Sequence, residues 1–349
     1  MNAILDEAYQ RLHGTGPEWG GNLSNHGPMA AEVLVRRGRE DQVPAWLDAY
    51  IGRLDELPTA REPITDQTWH EALSDFARIG DWVVYFGRLV GERPWHEVLL
   101  TWWPRLLPGI VAGATHGVIR VSHAVRALIG GDESPQAVTE LAHGLAWWAA
   151  RYLPVPGAAG LTGNLDAAEA IDEVPRIPAQ ESVLASRFGQ LGELAAFPGA
   201  VAALRPATDP DDARRRLEDL VAAATLKYLT HGHGSPVLLV HTATAPNAVL
   251  NTLPVLPRDL WAPSLAAAWA ASAAIISTYA PLAGAPRENL PEPTQAGDPV
   301  AEVLDRAAAH GDEHVIKFTD TAAEAYSRTP NPDILAAALR VTQLLDSPG

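Results

Sequence analysis

Two lysines, Lys227 and Lys317, stand against 24 arginines in this 349-residue chain. A chain that has placed arginine at nearly every other cationic position keeps lysine where guanidinium would fail. A buried lysine can shed its proton and act as nucleophile or base or, after reaction with carbon dioxide, as a carbamate ligand; arginine stays charged. Lys317 lies in the apolar run His314-Val315-Ile316-Lys317-Phe318. On a helix it sits about 60° round from His314, so both side chains can point into one space, and Thr321 and Glu324 extend that stripe. A lysine that snorkels beside a half-exposed histidine is the structural alternative. The scarcity of lysine favours function. His26, His116, His123 and His241 occupy similarly apolar, small-residue settings, and with His314 these segments read as the walls of one buried metal site.

The individual segments differ in strength. In Asn25-His26-Gly27-Pro28-Met29-Ala30-Ala31-Glu32, Asn25 reads as a helix N-cap and Pro28 as an early helical residue. His26 then sits at the helix mouth, where the dipole favours a neutral, ligating imidazole, or where it merely caps backbone. His116 and Arg120 lie four apart on one helix face, with His123 a further turn along. Two turns separate the histidines by roughly 10 Å, too far for both to chelate one ion from a straight helix. His116 is therefore the ligand candidate, His123 a supporting or substrate-contacting group, and Arg120 a holder of a carboxylate, phenolate or other oxyanion. A core helix with mutually satisfied polar groups is the alternative. His241 closes the run Val237-Leu238-Leu239-Val240 and faces either a cavity or backbone. His231 and His233 read as an exposed turn.

Cysteine is absent, which excludes disulfides, thiolate zinc, iron–sulfur clusters and thiolate-ligated haem. Any metal must be held by nitrogen and oxygen, the chemistry of histidine-rich iron, copper or zinc. Glu140-Leu141-Ala142-His143 has the E-x-x-H spacing of di-iron bundles. Those need two such motifs and two more glutamates, and one motif is found. The net charge of −16 is spread along the chain, which argues against nucleic acid or an anionic membrane as partner. Arg214-Arg215-Arg216 sits among acids and reads as a solvated helix face. The N-terminus has no signal-peptide core, and Leu260–Pro286 is rich in Ala, Ser and Pro, so it reads as a buried helix in a cytoplasmic protein.

The elements that must position these residues are helical. Apolar spacing of three and four recurs over 3–13, 29–37, 43–55, 67–90, 95–103, 106–129, 135–152, 180–195, 210–229, 261–280, 298–309, 312–327 and 331–346. Pro236–His241 and Val174–Pro178 look extended, without sustained alternation. The expected fold is all-α, one large helical domain over residues 1–349 with a buried central site and a flexible loop at 154–178. No fixed-period repeat, P-loop or dinucleotide fingerprint appears. Trp69, Trp82, Trp95, Trp102, Trp103, Trp147 and Trp148 read as core, compatible with a flat aromatic ligand.

Four segments together resemble the questin oxidase-like family. They are Asn25–Glu32, Trp102 through Arg126 with its His-Gly-Val-Ile-Arg-Val-Ser-His core, His241-Thr242-Ala243-Thr244, and Glu313–Phe318. The resemblance implies a helical fold and a flavin-free oxygenase that opens anthraquinone-type rings at a non-haem iron held by histidines and a carboxylated lysine. Carried over, His26, His116, His241 and His314 are the ligands and Lys317 the carbamate. Where fungal members place a second histidine four residues after the first, this chain has Arg120. The implied reaction is Baeyer–Villiger-like oxygen insertion into a polycyclic phenol or quinone, using Fe(II) and dioxygen, with Arg120 or His123 stabilising developing charge. Two other readings stand beside it. One is a metal-independent enzyme drawing on NADPH, with Lys317 as base; the other is a helical protein that binds a flat aromatic without turnover.

Overall fold

A computed structural model of the chain is 68% helix and 3% strand, so the all-α expectation holds. The described residues are 2–21, 23–131, 133–180, 184–292 and 297–348. They pack as two compact units: Met1–Pro154 with Pro254–Leu256, and Val155–Leu253 with Pro257–Gly349.

The first unit contains α1 (Ala3–His13), a two-residue antiparallel pairing of β1 (Glu18–Trp19) with β2 (Leu23–Ser24), α2 (Gly27–Arg36), α3 (Val43–Ile51), α4 (Ile79–Glu92), α5 (Trp95–Leu106), α6 (His116–Ile129) and α7 (Pro135–Ala150). Helix α7 is apolar on nearly every face and packs against α4 and α6. A side chain at Gly117 would meet the Trp148 ring at 2.6 Å, so glycine there lets α6 lie close to α7. Trp82, Trp102, Trp103, Trp147 and Trp148 are core, whereas Trp69 and Trp95 are half-buried. Trp82, Phe86 and Trp102 pack on one another with centroids 4.8–5.6 Å apart, and Trp148 donates to the Gly109 carbonyl at 3.0 Å. Two expected helices are shorter than their apolar spacing implies. Residues 67–78 form turns before α4, and the stretch expected as one helix over 106–129 is interrupted between Leu106 and His116. Pro108, with no amide hydrogen, and the left-handed Gly113 break the ladder.

The second unit contains α8 (Ala167–Asp172), α9 (Leu184–Glu193), α10 (Phe197–Ala202), α11 (Pro210–His231), α12 (Pro236–Leu239), α13 (His241–Thr252), α14 (Trp261–Tyr279), α15 (Pro299–His310), α16 (Glu313–Arg328) and α17 (Pro332–Leu344). Helix α11 packs against α13, α14, α16 and α17. Its arginine run is a charged helix face, with Arg214 on Glu218 and both Arg215 and Arg216 on Asp212. The segment from Arg258 to Tyr279 is long and apolar enough to cross a membrane, but 72% of its apolar window is buried inside the protein. The 154–178 stretch is not all loop: Asp166 and Glu169 form a reciprocal capping box that starts α8.

The expected extended run at Pro236–His241 is instead helical. A short apolar run cannot by itself be assigned to strand or helix, and Pro236 in the first turn supplies the backbone angle a helix needs. Val174–Pro178 is irregular, with Ile177 N–H donating to the Ser277 carbonyl at 3.0 Å. Pro246 lies inside α13 and removes the amide that would bond the Thr242 carbonyl. Ser272 of α14 repairs the loss by donating its hydroxyl to that carbonyl at 2.9 Å. Ser272→Ala should therefore leave a buried acceptor unsatisfied and cost about 1–2 kcal/mol, read as a lower urea midpoint with an unchanged slope.

Candidate functional site

Three successive residues before α6 have positive φ: Gly113 at 50°, Ala114 at 55° and Thr115 at 74°. Left-handed backbone costs a residue with a β-carbon roughly 1–2 kcal/mol, and strain of this kind gathers at functional sites. The turn starts α6 at His116 and sets the Gly113 carbonyl 2.5 Å from His116 Nδ1. A carbonyl only accepts, so the proton is on Nδ1 and Nε2 keeps its lone pair. That Nε2 lies 2.7 Å from Nε2 of His26, with the rings 20° from parallel and their centroids 4.5 Å apart.

His26 is fixed from the backbone. Asn25 accepts from the Gly27 amide at 2.9 Å, which leaves His26 itself at the N-cap of α2. Its own amide donates to the Tyr50 hydroxyl at 2.6 Å. Two ring nitrogens that share so short a contact converge on one proton or one cation. Adjacent ligands at the usual metal–nitrogen bond of about 2.1 Å would lie roughly 3 Å apart. The buried pair thus has the spacing of metal ligands and can hold an ion.

In the second unit His241 is the first residue of α13, and its Nδ1 donates to the Leu238 carbonyl at 3.1 Å. This repeats the arrangement at His116, with the carbonyl again three residues earlier. Burial, reinforced by His314 and Lys317, holds the His241 imidazole well below its ordinary pKa and therefore neutral. Asp312 caps α16 by accepting from the amides of His314 and Val315 at 2.8 and 3.1 Å. The same carboxylate oxygen lies 3.5 Å from His314 Nδ1. The His241 and His314 rings meet edge to face, centroids 5.9 Å apart. Lys317, one turn further along α16, is 3% exposed. Its Nζ has no hydrogen-bond partner among the described residues. Burial pushes its pKa down to about 8 against the pull of Glu313 and Asp312.

His26 and His116 in the first unit, and His241, His314 and the buried Lys317 in the second, are nitrogen donors of the kind that suits a metal of intermediate hardness. The questin oxidase-like family model matches residues 39–321. The chain belongs to the questin oxidase-like family. No curated protein matches it. The matched questin oxidase-like span takes in His116, His241, His314 and Lys317, whereas His26 precedes it.

Arg120 and His123 both face carboxylates of this chain. Arg120 forks onto Glu140 with Nε and Nη2 at 2.6 and 2.9 Å, and His13 Nε2 approaches the same carboxylate at 3.1 Å. Burial alone would raise the Glu140 pKa, but Arg120 and His13 outweigh it and leave it at about 2. This pairing occupies the glutamate of the E-x-x-H motif. His143 beside it is driven to about 3, first by burial, and packs on His13. His123 Nδ1 lies 2.8 Å from Glu32, which also receives the Arg126 fork. Glu32 likewise sits at about 2, where Arg126 and His123 overcome burial. Sequence reading missed the roles of Glu32, Glu140, Asp312 and the Gly113 carbonyl. A Gly-x-x-His spacing ahead of α6 was the available signal for the last.

A lysine with a folded pKa of about 8 and an ordinary value of 10.5 binds its proton less tightly in the folded state. Its penalty to stability is full below pH 8 and fades as pH rises towards 10.5, and at neutral pH it is on the order of 3 kcal/mol. Lys317→Met should therefore stabilise metal-free, bicarbonate-free protein at pH 7, with the gain shrinking by pH 10. Chemical denaturation at both pH values checks this. A destabilised variant at pH 7 would show that the amine is satisfied in solution.

Proposed function

We propose that the protein is a non-haem iron oxygenase that opens a polycyclic aromatic or quinone substrate by Baeyer–Villiger-like oxygen insertion. In this reading His26, His116, His241 and His314 are ligands and Lys317 is carboxylated. The observation that carries it is the buried Nζ of Lys317, which has no hydrogen-bond partner among the described residues, in a chain with 24 arginines and one other lysine. Family membership supplies the oxidoreductase class and a small-molecule substrate with dioxygen.

The chain's own residues prepare the chemistry. The carbonyls of Gly113 and Leu238 hold the protons of His116 and His241 on Nδ1, so each Nε2 is a lone-pair donor without prior deprotonation. With its pKa lowered by burial to about 8, about a tenth of Lys317 is neutral at pH 7, far more than for an ordinary lysine. Its nitrogen lone pair attacks the carbon of carbon dioxide, one C=O π pair moves to oxygen, and the ammonium proton leaves to solvent, giving an anionic carbamate. Thr244 suits that product. The His241–His314 contact and the bond from Asn247 to Thr321 make α13 and α16 run parallel. Thr244 and Lys317, each three residues beyond its histidine, therefore lie at the same level. The Thr244 hydroxyl is also buried without a partner among the described residues, and a carbamate oxygen would accept its hydrogen bond. When bound, ferrous iron supplies electrons for activating dioxygen, and the carbamate adds the negative charge that four imidazoles lack.

A second reading is favoured by the same lysine pKa: Lys317 as general base in a metal-independent, NADPH-using enzyme. Elemental analysis of untagged protein separates the two. The iron reading expects near-stoichiometric iron and a ¹³C carbamate resonance after incubation with labelled bicarbonate. It also expects Lys317→Ala to lose the metal and to lower turnover of quinone substrates by at least about 100-fold. An active, metal-replete Lys317→Ala enzyme removes the lysine from the site, and active metal-free protein selects the base mechanism.

A further inference from the structure

Both histidine pairs are carried on parallel helices that are fastened together two turns further along. On α2 and α6, Glu32 lies six residues after His26, and its partners His123 and Arg126 lie seven and ten residues after His116. On α13 and α16, Asn247 lies six residues after His241, and its partners Thr321 and Glu324 lie seven and ten residues after His314. At a rise of about 1.5 Å per residue, each fastening begins roughly 9 Å from its histidines. In each case the fastening is built on one buried or near-buried glutamate. Glu32 is 2% exposed and receives Nε of Arg126 at 2.9 Å, its Nη2, and Nδ1 of His123 at 2.8 Å. Glu324 accepts from Asn247 at 2.7 Å, from Asn251 at 2.9 Å and from Arg328 at 3.4 Å. Arg328 also donates to the side-chain Oδ1 of Asn247 at 3.1 Å, which closes the ring of contacts.

We infer that Glu32 and Glu324 are positioning residues, each a polar clamp that sets the separation and rotation of one pair of helices and thereby the spacing of the histidines at their first turns. The inference rests on the metal reading above. Apolar contact is non-directional, so by itself it sets the rotation of two packed helices less closely than a directional polar bond does. A forked carboxylate–guanidinium bond has one geometry. A rotation of a few degrees at Glu32 is carried by a rigid helix to His26, where the nitrogen–nitrogen separation is 2.7 Å.

The experiment uses full-length protein loaded with cobalt(II), whose visible bands report ligand geometry. Glu32→Gln and Glu324→Gln should each weaken cobalt binding by about tenfold and shift those bands in the folded fraction. Asp81→Asn serves as the control, because Asp81 is a buried carboxylate bonded to Arg78 in a place that joins no histidine-bearing helices. It should lower thermal stability and leave both cobalt readouts unchanged. Should Glu32→Gln fail to fold, Arg126→Lys keeps the charge, loses the fork and carries the same expectation. Wild-type affinity and spectrum in the clamp variants would overturn the inference while leaving the metal site standing. Wild-type protein that binds no cobalt would overturn the metal reading and the clamps' role with it.

Discussion

A hydrogen bond from an imidazole to the carbonyl three residues before it organises both histidine pairs. In both cases the histidine is the first residue of its helix and the chain ahead turns sharply enough to aim that carbonyl back. His116 achieves this with a left-handed turn, and His241 with the one-turn helix α12. Once the bond is made the tautomer is settled and Nε2 is the only basic nitrogen. Tautomer and helix start are thus consequences of one local geometry, and the contacts six to ten residues further on fix how each helix meets its partner.

The division of labour between arginine and lysine follows from desolvation. The buried carboxylates Glu18, Glu32 and Glu140 are each met by a forked arginine. A planar guanidinium satisfies both oxygens at once and cannot lose its charge in the attempt. Lys227 pairs with Asp172 at the surface, an ordinary use of a point charge. Lys317 alone among the lysines is buried, where the cost of keeping a charged ammonium has moved its proton affinity towards neutrality.

Helix content and the chemistry-bearing residues were legible in the sequence because apolar spacing and residue type are local properties. The His314–Lys317 stripe needed only helical geometry, and α16 presents it as the spacing implies. What could not be read was set by partners distant in the chain. Val237–Val240 carries no periodicity that separates strand from helix. The continuous spacing over 106–129 hid an interruption that depends on Pro108 and on a turn backed by Trp147. Arg120 and His123 looked available for a substrate because Glu140 and Glu32 lie 20 and 91 residues away. Oxyanion recognition and internal pairing use the same side chains, and only the fold tells which carboxylate arrives first.

The turn at Gly113, Ala114 and Thr115 leaves its first position little room for replacement. A β-carbon at position 113 would come within 2.1 Å of the Trp147 ring, so only glycine fits. Ala114 and Thr115 adopt the same left-handed region although glycine would reach it with less strain. Their β-carbons exclude most of the neighbouring conformations that a run of three glycines would wander through. The chain accepts strain there in exchange for stiffness. Helix α6 consequently starts against a fixed stop rather than a hinge, and the first residue behind that stop is His116.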